Sequence, residues 1–209
     1  ERLADLETPV SAYLKLAHGP FSYLLESVEG AEKIARYSFL GTRPRLVVTS
    51  AGRHIEIAEL SAGQAARVRR FETRTDPLKE IERLMRRFRF VPVPGLPRFC
   101  GGLLGYLGYN VVRFLERLPA HQVDDLHVPD VMLMLSETMV IFDHSQHTIL
   151  LVVNVQTDGR RARAAYREAV RTIRAMAAHL DKPLPRMSAP RTTRPQPVRS
   201  NLSRSEFER

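Results

Sequence analysis

Val131-Met-Leu-Met-Leu-Ser-Glu-Thr-Met-Val-Ile-Phe142 and Thr148-Ile-Leu-Leu-Val-Val-Asn-Val155 are apolar at nearly every position, with the polar stretch Asp143 to His147 between them. Side chains alternate across a pleat, so runs apolar at both odd and even positions belong to strands covered on both faces. Two such runs joined by a short polar turn read as an antiparallel hairpin. The fold class that follows is α+β, a layered antiparallel β-sandwich with covering helices. A helix from about Arg160 to Leu180 carries Tyr166, Ala169, Val170, Ile173, Met176 and Leu180 on one stripe, which is expected to lie on a face of the hairpin.

Upstream, Phe21 to Val28 alternates, with Phe21, Tyr23, Leu25 and Ser27 on one side and Ser22, Leu24, Glu26 and Val28 on the other, as a strand does. Arg36 to Gly41, Leu46 to Thr49 and His54 to Ile57 read as further short strands punctuated by Gly41, Pro44 and Gly52. Asp76-Pro77 opens a helix, since Asp caps free amides and Pro suits the first helical position. Leu78, Ile81, Met85 and Phe88 continue it, and Pro92, Pro94 and Pro97 stop it. A glycine-rich strand from Phe99 to Tyr109 and a short helix around Val111 to Leu118 follow.

With 209 residues, 44% hydrophobic and 26% charged, the chain has the mix of a folded globular domain. The single cysteine, Cys100, allows no intramolecular disulfide and no Cys-based zinc site, which suits a cytoplasmic location. No stretch approaches the roughly 18 apolar residues of a membrane helix. The first residue is Glu1, so the natural start is expected upstream. Net charge is +9, but the arginines are scattered over helices and tail without the interleaved aromatics of a single-strand platform, which reads as a solvated surface and not a nucleic-acid site.

From Lys182 the composition shifts to Pro, Arg, Ser and Thr, the signature of a linker. Ser203-Arg204-Ser205-Glu206 then forms a capping box. The expected organisation is a regulatory α+β domain over 1–181, a linker over 182–200, and the start of a further domain over 201–209.

Five collinear strings resemble the amino-terminal region of the anthranilate synthase component I family. They are Asp5-Leu-Glu-Thr-Pro-Val-Ser-Ala-Tyr13, Phe21-Ser-Tyr-Leu-Leu-Glu-Ser27, Arg36-Tyr-Ser-Phe-Leu-Gly41, Gly101-Gly-Leu-Leu-Gly-Tyr-Leu-Gly-Tyr109, and Asp124-Asp125 leading to Pro129-Asp130. The closing Ser200 to Glu208 looks like the point where that family's chorismate-binding domain begins. The resemblance implies a two-part enzyme. Its carboxy-terminal domain binds chorismate and magnesium and forms anthranilate and pyruvate, and a glutamine amidotransferase subunit supplies ammonia. The amino-terminal part holds tryptophan, the feedback inhibitor. None of the catalytic residues would then lie in these 209 positions, and the piece alone would be inactive.

An amino acid effector needs donors for its carboxylate, an acceptor for its ammonium and an apolar slot. Ser27 offers a hydroxyl, Glu26 a negative charge, and Leu25 or Tyr23 apolar wall; the resemblance adds Arg36 and Tyr37. In a regular strand Glu26 and Ser27 point to opposite faces, so both can line one pocket only where the strand ends or bulges.

Other features carry less chemistry. Gly101, Gly102, Gly105 and Gly108 match no phosphate loop and suit close backbone packing in a sheet. His144 and His147 sit i, i+3 in a turn without an evident third ligand, and Asp124 and Asp125 read as turn and cap residues. Two other functions compete: aminodeoxychorismate synthase component I, which shares the Leu-Leu-x-Ser and Arg-Tyr-Ser themes, and a stand-alone small-ligand or nucleic-acid binding module.

Overall fold

The computed structural model describes residues 1–17, 19–26, 36–61, 64–118, 126–157, 161–186 and 200–209. Among them ten strands form two antiparallel sheets. The elements run β1 (Arg2–Leu3), α1 (Pro9–Leu16), β2 (Ser22–Leu25), β3 (Tyr37–Thr42), β4 (Leu46–Ala51), β5 (His54–Ser61) and β6 (Gln64–Glu72). Next come α2 (Pro77–Met85), β7 (Gly102–Leu107), a 3-10 turn (Tyr109–Phe114), β8 (Val131–Ser136), β9 (Thr138–Asp143), β10 (Thr148–Val153), α3 (Ala162–Leu180) and α4 (Arg204–Phe207). One sheet is ordered β1-β10-β9-β3-β2, the other β6-β5-β4-β8-β7.

The hairpin expected from the opening motif is β9–β10, with Asp143 opposite Thr148 and Val140 opposite Leu151. The long run before it is not one strand, however. At Glu137 the chain leaves one sheet and enters the other, so β8 pairs with β4 and β7 while β9 pairs with β3 and β10. The polar triplet Ser136-Glu137-Thr138 is where both ladders find other partners. The Asn154 amide donates to the Glu137 carbonyl (2.7 Å) and the Thr138 hydroxyl to the Thr42 carbonyl (2.9 Å). A second tie between the sheets joins the Tyr23 and Ser136 hydroxyls at 2.6 Å, and burial pushes the Tyr23 hydroxyl above its usual range against the lowering effect of that bond.

Alternation along the first sheet gives it two apolar faces, each covered. Leu40, Val140, Phe142 and Ile149 pack under Ala12, Leu16 and Leu180 of α1 and α3. Met139, Ile141 and Val152 pack with Cys100, Phe39 and Phe99 on the opposite face. In the second sheet Leu46, Val48, Ile55, Ile57 and Leu135 pack against Leu84 of α2. Burial pushes the Cys100 thiol up.

Several sequence expectations are corrected. Tyr166, placed on the apolar stripe of α3, is 69% exposed, while Ala169 and Leu180 are buried; the residues of α3 that pack into the core of the first sheet are Met176 and Leu180, near its end. The helix around Val111 to Leu118 is the 3-10 turn Tyr109–Phe114, and β7 is shorter than Phe99 to Tyr109. Strand β6 and helix α1 had no counterpart in the reading. The first is an edge strand exposed along nearly its whole length, so it lacks an alternating apolar signal. The second is a short helix set by Thr8, which caps it in a box with Ser11, followed by Pro9. The capping boundaries at Asp76-Pro77 and Ser203-Glu206 form as read. Asp124 and Asp125, and most of the Pro/Arg-rich linker, lie outside the described residues.

Candidate functional site

Strand β2 ends at Leu25, whose partner across the ladder is Phe39 of β3. Glu26 follows outside the strand and is exposed, so the alternation that would separate it from its successor does not apply there. Ser27 lies outside the described residues. Leu25 is 45% exposed, unlike Tyr23 two positions earlier, and offers an uncovered apolar surface at the end of the β2–β3 pair.

Arg36 precedes β3 and has a definite partner. Its Nε and Nη2 donate to Asp143 Oδ1 and Oδ2 at 3.0 and 2.7 Å, a bidentate fork. Asp143 is 4% exposed and also accepts the backbone amides of Ser145 and Gln146. The Arg36 hydrogen bonds hold the Asp143 carboxyl below its usual range, against burial, with the turn amides helping. They raise the Arg36 guanidinium. The guanidinium lies 4.9 Å from the centre of the Tyr37 ring.

From Tyr37 an aromatic ladder runs inward. Tyr37 tilts against Phe39 at 6.0 Å, and Phe39 meets Phe99 edge to face at 5.3 Å. Leu25, Tyr37 and Phe39 share one face by register. The fold therefore gathers Leu25, Arg36 and Tyr37 at one end of the β2–β3 pair, with Glu26 one residue beyond Leu25. Asp143, Phe39 and Phe99 were read from the sequence as turn and strand residues, not as part of the site. Asp143 gave one faint signal, a carboxylate closing an apolar run.

A depressed carboxyl contributes stability above its unfolded pKa, near 3.9, that is lost as pH falls through the folded value. Asp143→Asn is expected to lower stability at pH 7 by about 1–3 kcal/mol, as Arg36 and two amides lose a charged acceptor. In urea titrations the gap between wild type and variant should close below about pH 4. A gap unchanged at pH 3 would contradict the assignment.

His144 and His147 are exposed, as expected of turn residues. The His144 Nε2 and Ser38 hydroxyl are 2.7 Å apart, and the imidazole stacks on Phe142. Among the described residues no group of three or more His, Cys, Asp or Glu side chains is placed to hold a metal ion, and no helix is long and apolar enough to cross a membrane. Gly105 is used as expected of a sheet glycine: a Cβ there would run into the Met132 carbonyl and lie 3.0 Å from the Leu133 Cα.

The chain is similar to anthranilate synthase component 1 of Pseudomonas putida, 38% identical over 218 aligned residues that take in all of this chain and 42% of that protein. It is 43% identical to the Pseudomonas aeruginosa protein of the same name over 155 residues, 73% of this chain and 30% of the relative. It thus spans less than half the length of these relatives. In fold it resembles the crystal structure of anthranilate synthase component I from Streptococcus pneumoniae, with a TM-score of 0.52, 21% identity, and coverage of 91% of this chain and 37% of that one. The family model described as chorismate binding enzyme matches residues 39–209. With two antiparallel sheets of that architecture and a family match running from β3 to its last residue, the chain belongs to the chorismate-binding enzyme family.

Proposed function

We propose that the chain is the amino-terminal, effector-sensing part of an anthranilate-forming synthase. The observation that carries this reading is the likeness to anthranilate synthase component 1, which runs through the whole chain but through less than half of the relative. In this reading the remaining part of a longer, cytosolic protein binds chorismate and magnesium and carries out amination and pyruvate elimination. A glutamine amidotransferase subunit delivers ammonia to it. The exposed rim of the second sheet suits such an arrangement. Strand β7 is an edge, and Tyr106, Leu107, Tyr109 and Leu115 near it are exposed, a surface that a neighbouring domain would cover.

The effector is tryptophan, held at the end of β2–β3. Glu26 faces its ammonium, Ser27 its carboxylate, and Leu25 and Tyr37 its indole. Arg36 is already engaged by Asp143, so its part is to hold the Tyr37 ring and not to bind the ligand.

Assay of the full-length protein with chorismate and ammonia is expected to yield anthranilate without a lyase partner. Accumulation of aminodeoxychorismate would assign it to the folate-pathway relative instead. Tryptophan is expected to inhibit, and Glu26→Ala and Ser27→Ala to raise the half-inhibiting concentration about tenfold, the loss of one hydrogen-bonded charge or hydroxyl. Unchanged inhibition in both variants would remove the effector site from the segment that follows β2. The isolated chain is expected to show no micromolar tryptophan binding by calorimetry; such binding would mean that the pocket is complete without a second domain.

A further inference from the structure

A cavity of about 560 Å³ opens beside the crossing point of the two sheets, within the range of roughly 300–1,000 Å³ found for small-molecule sites. One wall is the segment that leaves α2, carrying Arg87, Phe88, Arg89, Phe90 and Val91. The facing wall is Glu137 with the end of β10, Asn154 to Thr157, and Gly101 and Gly102 line it as well. No residue proposed above for tryptophan lines it.

The charges of this cavity are unevenly matched. Glu137 is met by Arg45 at 3.2 Å, and Arg45 also donates to the Gln156 side-chain oxygen at 3.1 Å. Asn154 is engaged by the Cys100 carbonyl at 2.6 Å. Arg87 and Arg89, by contrast, have no carboxylate partner among the described residues, although Arg83 and Arg86 on the preceding helix turn are each paired with a glutamate. Two guanidinium groups against one carboxylate that is already paired leave the lining positive. Around them Phe90, Val91 and Val155 expose apolar surface, at 58, 71 and 41%. Guanidinium forks favour planar carboxylates and stack on flat rings.

We propose that this cavity binds a small carboxylate with an apolar ring, its carboxylate on Arg87 and Arg89 and its ring against Phe90, Val91 and Val155. Glu137 excludes a second negative charge at the far wall and accepts a hydrogen bond from any donor the ring carries there. Gly102 leaves room for the ligand's approach, since a Cβ at that position would meet nothing within 4 Å.

The test is an amide NMR titration of the chain with three probes sharing one ring: benzoate, benzylamine and benzyl alcohol. Benzoate is expected to give saturable shifts at Gly101 and Gly102, with benzylamine and benzyl alcohol at least about tenfold weaker, as charged bidentate pairing requires. Arg87→Gln and Arg89→Gln should each weaken benzoate about fivefold or more. Arg86→Gln, one residue away and ion-paired to Glu82, should leave it unchanged. All three side chains are exposed, so folding is not at stake. Equal binding of benzylamine, indifference to both Arg87 and Arg89, or no saturable shift with benzoate would each overturn the proposal. Inorganic sulfate binding as tightly as benzoate would do the same, since it would show charge attraction without a ring site.

Discussion

Gly105→Ala is expected to cost about 3 kcal/mol, the upper part of the range for overpacking. A Cβ on residue 105 would collide with the Met132 carbonyl and come within 3.0 Å of the Leu133 Cα. Both are backbone atoms of β8, which is laddered to β4 on its other side and cannot retreat. The strand that must give way is β7. Gly41→Ala is the informative contrast, because there the Cβ would meet the far end of the Tyr23 ring at 2.5 Å. That ring can swing aside at the expense of its bond to Ser136, a loss of about 1 kcal/mol for a hydrogen bond of this kind. Urea denaturation of the two variants should place Gly105→Ala well below Gly41→Ala. The reverse order would mean that β7 is not held against β8 as described.

Ile141→Ala is expected to cost about 2–5 kcal/mol. Ile141 is fully buried in β9, the middle strand of its sheet, opposite Phe39 on one side and Leu150 on the other. Its neighbours Met139, Cys100 and Val152 are themselves buried, so few atoms are free to collapse into the space. Against a total stability of about 5–15 kcal/mol for a domain, such a loss brings the chain near its threshold. Ile141→Val, which removes one methyl group, should cost only about 0.5–1.5 kcal/mol. Chemical denaturation that finds the two variants alike would argue that the cluster between the first sheet and the segment before β7 is loosely packed.

The parts of the fold that were legible are those encoded by neighbours in sequence. The hairpin of β9 and β10 announces itself through two apolar runs and a polar turn, and Asp76-Pro77 and Ser203-Glu206 fix helix starts through their own side chains. Strand β6, rich in arginine and exposed, had no periodicity to read. The split at Glu137 was hidden for another reason: three polar residues in an apolar run look like a local irregularity, and only the partners Gly102, Val153 and Thr42 show that the chain changes sheets there.

Of the residues named for the candidate site, Leu25, Glu26, Ser27, Arg36 and Tyr37, the fold brings Leu25, Arg36 and Tyr37 to one end of the β2–β3 pair, but what supports them there was not legible. Arg36 and Asp143 are 107 positions apart, and no local pattern predicts a pairing that depends on the register of β3 against β9. The same holds for Phe99, which reaches Phe39 only because the segment before β7 crosses the face of the first sheet. Arg87 and Arg89 are likewise invisible in a chain with arginines throughout; what distinguishes them is that, among the described residues, no glutamate meets them as Glu80 and Glu82 meet Arg83 and Arg86.

The passage of residues 131–143 from one sheet into the other has a thermodynamic consequence. This one stretch of chain supplies an interior strand to each sheet, β8 to one and β9 to the other, so an opening that starts at Glu137 takes central pairing from both. The two sheets are therefore expected to unfold in a single transition, so that a substitution on either side of Glu137 shifts one shared denaturation midpoint.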